Sequence, residues 1–142
     1  MRLRTVAITS MIAVAAAGTL APALAAPPKP ITKTYTATAP TPDPTPATGD
    51  ICDPMLPGAK HEEKFTVPAA GTLKVTMVQE LDWALALLDG TGKRLAESDG
   101  STPTDVESMQ VKFKKKTDVV IRACNFAGTA TSKITYVFTF AK

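Results

Sequence analysis

From about Ala59 to Lys142 the apolar residues fall at every second position, and no stretch shows the spacing of a helix of three turns. That period belongs to strands that bury one face and wet the other. Phe65 and Val67 share a face and lead into the turn Pro68-Ala-Ala-Gly71. Leu73, Val75 and Met77 share the next, with Lys74 and Thr76 pointing the other way. Trp83, Leu85 and Leu87 repeat the pattern and run into Asp89-Gly90, a hairpin signal. Lys93 to Glu97 predicts a short edge strand, and Ser98 to Thr104 a loop. Three more sets complete the series: Met109, Val111 and Phe113; Val119, Ile121 and Ala123; and Ile134, Tyr136, Phe138 and Phe140. Seven closely spaced strands, each with one apolar face, predict an all-β fold, a two-layer antiparallel sandwich. A region of this size can bury a single thin core.

The chain of 142 residues leaves room for accessory segments ahead of that domain. Residues 1–25 read as a secretory signal peptide. Arg2 and Arg4 supply the positive start, Val6 to Leu20 is apolar and uncharged, and Pro22 precedes the small residues Ala23 and Ala25. An apolar run of that length is short for a membrane span of about 20 residues. Cleavage is expected after Ala25 or Ala26. With no cysteine at the cut and no later apolar span, the mature protein is expected to be released and to hold no membrane.

Residues 26–57 form a Pro/Thr-rich extended segment with nine of the twelve prolines. Within it, Ile31 to Thr38 alternates well enough for one strand, which brings the expected count to seven or eight. Pro40-Thr-Pro-Asp-Pro-Thr-Pro46 cannot join a ladder, because each proline lacks a donor, and it reads as an extended spacer. The sandwich domain is then 58–142. Cys52 and Cys124 are the only cysteines. In an oxidising compartment the simplest reading is a disulfide, and neither C-x-x-C spacing nor further ligands favour a redox or metal pair. Alternation places Cys124 opposite Ile121, so the bridge would draw the segment across the second face of that sheet.

Charge excludes one class of partner. Without Arg2 and Arg4 the chain carries 14 basic residues against 13 acidic, and a nucleic-acid binder needs a basic excess. Catalytic patterns are missing as well. His61 is the only histidine, beside Glu62 and Glu63, and reads as a solvated strand end. No G-x-S-x-G turn is present, and the scattered carboxylates Asp82, Asp89, Asp99, Asp105 and Glu107 read as turn and loop residues. Two features remain as candidate sites. Asp99, Asp105 and Glu107 gather the oxygen ligands that calcium prefers, without the twelve-residue loop pattern, and calcium is the only cofactor considered. Lys112, Lys114, Lys115 and Lys116 put four ammonium groups at a strand end and hairpin, as a charged edge or as an attractor for anionic polymers. Trp83 shares a face with Leu85 and Leu87 and is read as core.

Four segments in order resemble bacterial pre-peptidase C-terminal domains. Phe65-Thr-Val-Pro-Ala-Ala-Gly71-Thr-Leu73 is similar to their F-x-V-P-A-G-G-T-L opening, and Asp82-Trp-Ala-Leu-Ala-Leu-Leu-Asp89-Gly90 to their D-x-D-L-x-L-x-D motif. Asp118-Val-Val-Ile-Arg122 resembles their penultimate strand, and Ile134-Thr-Tyr136-Val-Phe-Thr-Phe140 their closing one. The match covers roughly 58–142. It implies a jelly-roll-like sandwich that accompanies exported enzymes without being catalytic. Where the motif has its second acid, Ala84 stands here. Some relatives bind calcium through an acidic cluster before the first strand, where this chain has Glu62 and Glu63. Others bind collagen through exposed tyrosines, where it has only Tyr35 and Tyr136. The expectation is a secreted, monomeric, non-catalytic module that binds an extracellular protein, polysaccharide or cell-wall polymer. The alternative is a structural or surface-associated envelope protein.

Overall fold

The computed structural model describes residues 26–43, 52, 58–78, 81–100 and 106–142. The leader 1–25 and much of the proline-rich segment lie outside the described residues. Among the described residues there are eight strands: β1 (Ile31–Thr38), β2 (Lys60–Val67), β3 (Gly71–Val78), β4 (Leu81–Asp89), β5 (Arg94–Ser98), β6 (Val106–Phe113), β7 (Thr117–Gly128) and β8 (Thr131–Phe140). They form two four-stranded antiparallel sheets, in the orders β1-β8-β3-β6 and β2-β7-β4-β5. Six of the seven connections pass from one sheet to the other, so only β4 and β5 pair as sequence neighbours. Such wrapping gives the jelly-roll-like sandwich its long-range pairing.

Period two decides what lies between the layers. Leu73, Val75, Met77, Ile134 and Phe138 from the first sheet meet Val67, Trp83, Leu85, Leu87 and Ile121 from the second, all fully buried. The strand expected at Ile31 to Thr38 is β1. It pairs along its whole length with β8, from Ile31 opposite Phe138 to Thr38 opposite Thr131. The first sheet therefore begins inside the proline-rich segment. Asn125 fastens the residues just after β1: its amide group donates to the carbonyls of Ala39 at 2.8 Å and Thr129 at 3.0 Å. Its backbone carbonyl accepts from the Asp43 N–H at 3.0 Å. Ala39 and residues 40–43, the latter read from sequence as the start of a spacer, are thus docked, with Ala39 and Asp43 buried. Residues 44–46 of that run lie outside the described residues.

The β4–β5 hairpin forms where Asp89-Gly90 signals it, but with different turn chemistry. Asp89 exchanges backbone bonds with Lys93 and Gly92, and the left-handed residue is Gly92, at φ 86°, not Gly90. Asp89 Oδ1 accepts from the Thr91 N–H at 2.8 Å, the Lys93 N–H at 3.0 Å and the Thr91 hydroxyl. A three-residue loop ending in a left-handed glycine is the next commonest hairpin after the two-residue turn. The hydrogen bonds from Thr91 hold the Asp89 carboxyl below the usual carboxylate range.

Gly71 is required for a different reason. A Cβ there would sit 2.8 Å from Phe138 Cε2, and closer still to Phe138 Cζ and the Thr139 carbonyl oxygen. Phe138 is fully buried and the carbonyl belongs to a paired strand, so neither can yield. Gly71→Ala is expected to lower stability by about 1–3 kcal/mol, as overpacking does. Gly90→Ala, where the nearest atom would be 3.7 Å away, is expected to change it by less than about 0.5 kcal/mol. Urea unfolding of the two variants checks the contrast.

Candidate functional site

The second sheet is covered on its outer face too where β4 runs beside β7. Ala84, Ala86 and Leu88 alternate with the core residues of β4, yet all three are buried, in a second cluster with Cys52 and Cys124. The two cysteines are bridged across 72 residues, with Cα atoms 5.6 Å apart. Arg122 adds a second tie, its guanidinium donating to the Cys52 carbonyl at 3.3 Å while it pairs with Glu62 at 2.9 Å. Cys124 stands opposite Ala84 in the ladder. A carboxylate at position 84 would have to be buried beside the disulfide, at a desolvation cost that alanine avoids.

The two candidate clusters sit at opposite ends of β6. Glu107 lies at the beginning, almost fully buried, its carboxylate taking bonds from the Ser98 hydroxyl and, at 2.6 Å, the Gly100 N–H. These bonds clasp the end of β5 onto β6, a structural use the sequence does not reveal. Asp99 is adjacent, and Asp105 lies outside the described residues. Among the described residues no group of three or more His, Cys, Asp or Glu side chains could hold a metal ion. Burial, then the charges of Asp82, Glu107 and Glu97, push the Asp99 carboxyl above the usual carboxylate range. The folded state therefore holds this proton to higher pH than the unfolded chain does. The resulting stabilisation is full below the unfolded pKa and is lost as pH rises through the raised folded value. Asp99→Asn is accordingly expected to stabilise the protein at pH 7, with the gain gone below about pH 4, where Asp is ordinarily protonated. Unfolding curves at the two pH values test it.

Lys112 is the last residue but one of β6, and Lys114, Lys115 and Lys116 form the turn into β7; all four are exposed. Phe113 between them packs against the core and anchors the base of the turn. The Thr117 hydroxyl donates to the Lys115 carbonyl at 3.0 Å and closes it. None of these lysines pairs with a carboxylate among the described residues. Glu107 is five strand residues from Lys112, about 17 Å at 3.4 Å each, and beyond a Debye length of about 8 Å at physiological ionic strength. The acidic end leaves this positive patch unneutralised.

Other sequence candidates turn out to be packing. Trp83 is fully buried, its indole N–H donating to the Thr129 carbonyl at 3.3 Å. His61 is half-buried, not a solvated strand end: its ring lies 5.7 Å from that of Tyr35, and its Nδ1 accepts from the Thr38 N–H at 3.3 Å. The reason is that β1 crosses β2 at the sandwich edge, a long-range contact that local pattern does not carry. Tyr35 and Tyr136 join the same edge, beside Phe65. Tyr136 is 5% exposed, and the Tyr35 hydroxyl is buried, which raises its pKa. Neither tyrosine is a surface platform.

Two four-stranded sheets with jelly-roll-like wrapping make a β-sandwich whose fold is similar to that of a pre-peptidase C-terminal domain. Such a domain, that of the collagenase from Bacillus anthracis, superimposes with a TM-score of 0.51 over 77% of this chain and 90% of its own, at 7% identity. At that identity the likeness concerns the fold. A second solved structure, the Yersinia pseudotuberculosis-derived mitogen, gives a TM-score of 0.43 at 13% identity, over 81% of this chain and 88% of that one. No family model matches the sequence, and no curated protein matches it.

Proposed function

We propose that the chain is an exported member of the pre-peptidase C-terminal family that works outside the cell as a non-catalytic binding or accessory module. Its partner is an extracellular protein, polysaccharide or cell-wall polymer of negative charge. The observation that carries this reading is the turn Lys114-Lys115-Lys116 with Lys112: four exposed ammonium groups without carboxylate partners among the described residues. A like-charged patch attracts at long range and is sensitive to salt. The buried Cys52–Cys124 bridge supports an oxidising destination, and the leader read in residues 1–25 supports export.

Titration of the mature protein against an immobilised anionic polymer, at low and at high salt, tests the proposal. Binding is expected to weaken as salt rises. Changing Lys114, Lys115 and Lys116 to Ser is expected to weaken it about tenfold, taking about 0.5 kcal/mol for each exposed charge pair. Binding that survives both high salt and the triple substitution would refute the electrostatic patch. Loss on adding a calcium chelator would move the site to the loop of Asp99 and Glu107.

A further inference from the structure

The outward face of the first sheet carries a pattern that the lysine turn alone does not explain. On β1 the outward residues are Thr32, Thr34, Thr36 and Thr38, all exposed. Register sets Thr34 beside Thr135 on β8, Thr135 beside Thr76 on β3, and Thr76 beside Ser108 on β6. One row of hydroxyl side chains thus crosses all four strands, at about 4.8 Å per strand. The Thr34 and Thr135 hydroxyls are hydrogen-bonded at 2.9 Å, and the Thr76 hydroxyl donates to the Thr135 carbonyl at 3.3 Å. Lysines flank the row on both sides. Lys133 lies in the next row one way, between Thr36 and Val78; Lys74 lies in the next row the other way, with Lys112 diagonal to it. The outward positions of these strands include no Asp or Glu, and none of the three lysines has a carboxylate partner among the described residues.

We propose that this face binds a linear anionic polysaccharide laid along the hydroxyl row, with Lys74, Lys112 and Lys133 on its charges. The inference rests on the reading of the protein as an extracellular binding module and names its class of ligand. Charge complementarity selects the anion: a face with three free cations and no acid favours a polymer of opposite sign. The hydroxyls select the sugar, since each both donates and accepts and so matches a ligand of the same kind. A protein partner fits less well, because the face offers no Trp, Tyr or Arg to serve as an anchor. Nucleic acid is disfavoured for want of any ring on which bases could stack. A neutral glycan would exchange water for hydroxyl contacts alone, without the stronger charge-assisted bonds.

The test uses the mature chain with heparin and polygalacturonate as sulfated and carboxylated probes, and dextran as the neutral one. Wild type is expected to bind the two polyanions and not dextran. Lys74→Ser with Lys133→Ser is expected to weaken binding about tenfold, from two exposed charge pairs at about 0.7 kcal/mol each, and to flatten its salt dependence. Thr34→Val with Thr135→Val removes two mutually bonded hydroxyls and leaves no orphan between them; it is expected to weaken binding about threefold with the salt dependence unchanged, as for a neutral hydrogen bond. Thermal midpoints near that of wild type verify that each variant is folded. If both double variants bind as wild type while the triple change at Lys114, Lys115 and Lys116 abolishes binding, this face is wrong and the binding-module reading stands. Failure of wild type to bind either polyanion overturns both, and equal binding of dextran overturns the anionic class.

Discussion

Replacing Cys52 with Ser is expected to lower the free energy of unfolding by about 4 kcal/mol, the entropic value for releasing a closed loop of 72 residues. A single-core sandwich of this size has a total stability of about 5–15 kcal/mol, so the change takes a large part of it. The bridge also holds Cys52 over Ala84, Ala86 and Leu88, and that outer cluster would lose its covering residue. Two signatures separate the expected mechanism from simple loss of packing. Reduction of the wild type should reproduce the effect of the substitution, and the dependence of stability on urea should steepen, because the unbridged unfolded chain exposes more surface. A loss below about 1 kcal/mol would show that the bridge is incidental to stability.

Trp83→Ala is expected to cost about 3–5 kcal/mol, the range for truncating a fully enclosed large aromatic. Trp83 is fully buried beside Leu85 and Leu87 on a central strand, where neighbouring strands leave little freedom to collapse into the space. Trp83→Phe keeps most of the apolar contact and gives up the bond to the Thr129 carbonyl, so it should cost markedly less. Because the chain has one tryptophan, its fluorescence reports this site alone. Emission should be that of a ring out of water in the folded state and should shift to the red on unfolding in a single step with the far-UV signal. An emission maximum already at the solvent-exposed wavelength in the native protein would contradict the burial.

Much of this fold is legible in the sequence because burial on one face leaves a period of two wherever a strand is half solvated. Leu73-Lys74-Val75-Thr76-Met77 shows it without ambiguity, and β3 is found there. The burial of Cys124 against a covered outer face also agrees with its parity against Ile121. Long-range information is less legible. Ala39 and Asp43 are docked by Asn125, 82 or more residues away in the chain, and nothing near them announces it. His61 gains a ring partner from β1 across the sandwich, and Glu107 spends its carboxylate on Ser98 and Gly100. The site is legible in part. Lys112 to Lys116 stand in the sequence as a charge run, and they are exposed. The hydroxyl row is not, because Thr34, Thr76, Ser108 and Thr135 become neighbours only through strand register. The one local hint is the alternation Thr32-x-Thr34-x-Thr36-x-Thr38, which reads first as a strand and only afterwards as a surface.

The proposal of an exported, disulfide-tied module is tested most directly by the intact mass, without reduction, of the protein recovered from the medium around expressing cells. The expected species begins at Ala26 or Pro27, is lighter by two hydrogens than the reduced chain, and yields no free thiol when unfolded. A chain that stays inside the cells, retains Arg2 and Arg4 and titrates two free thiols would contradict it.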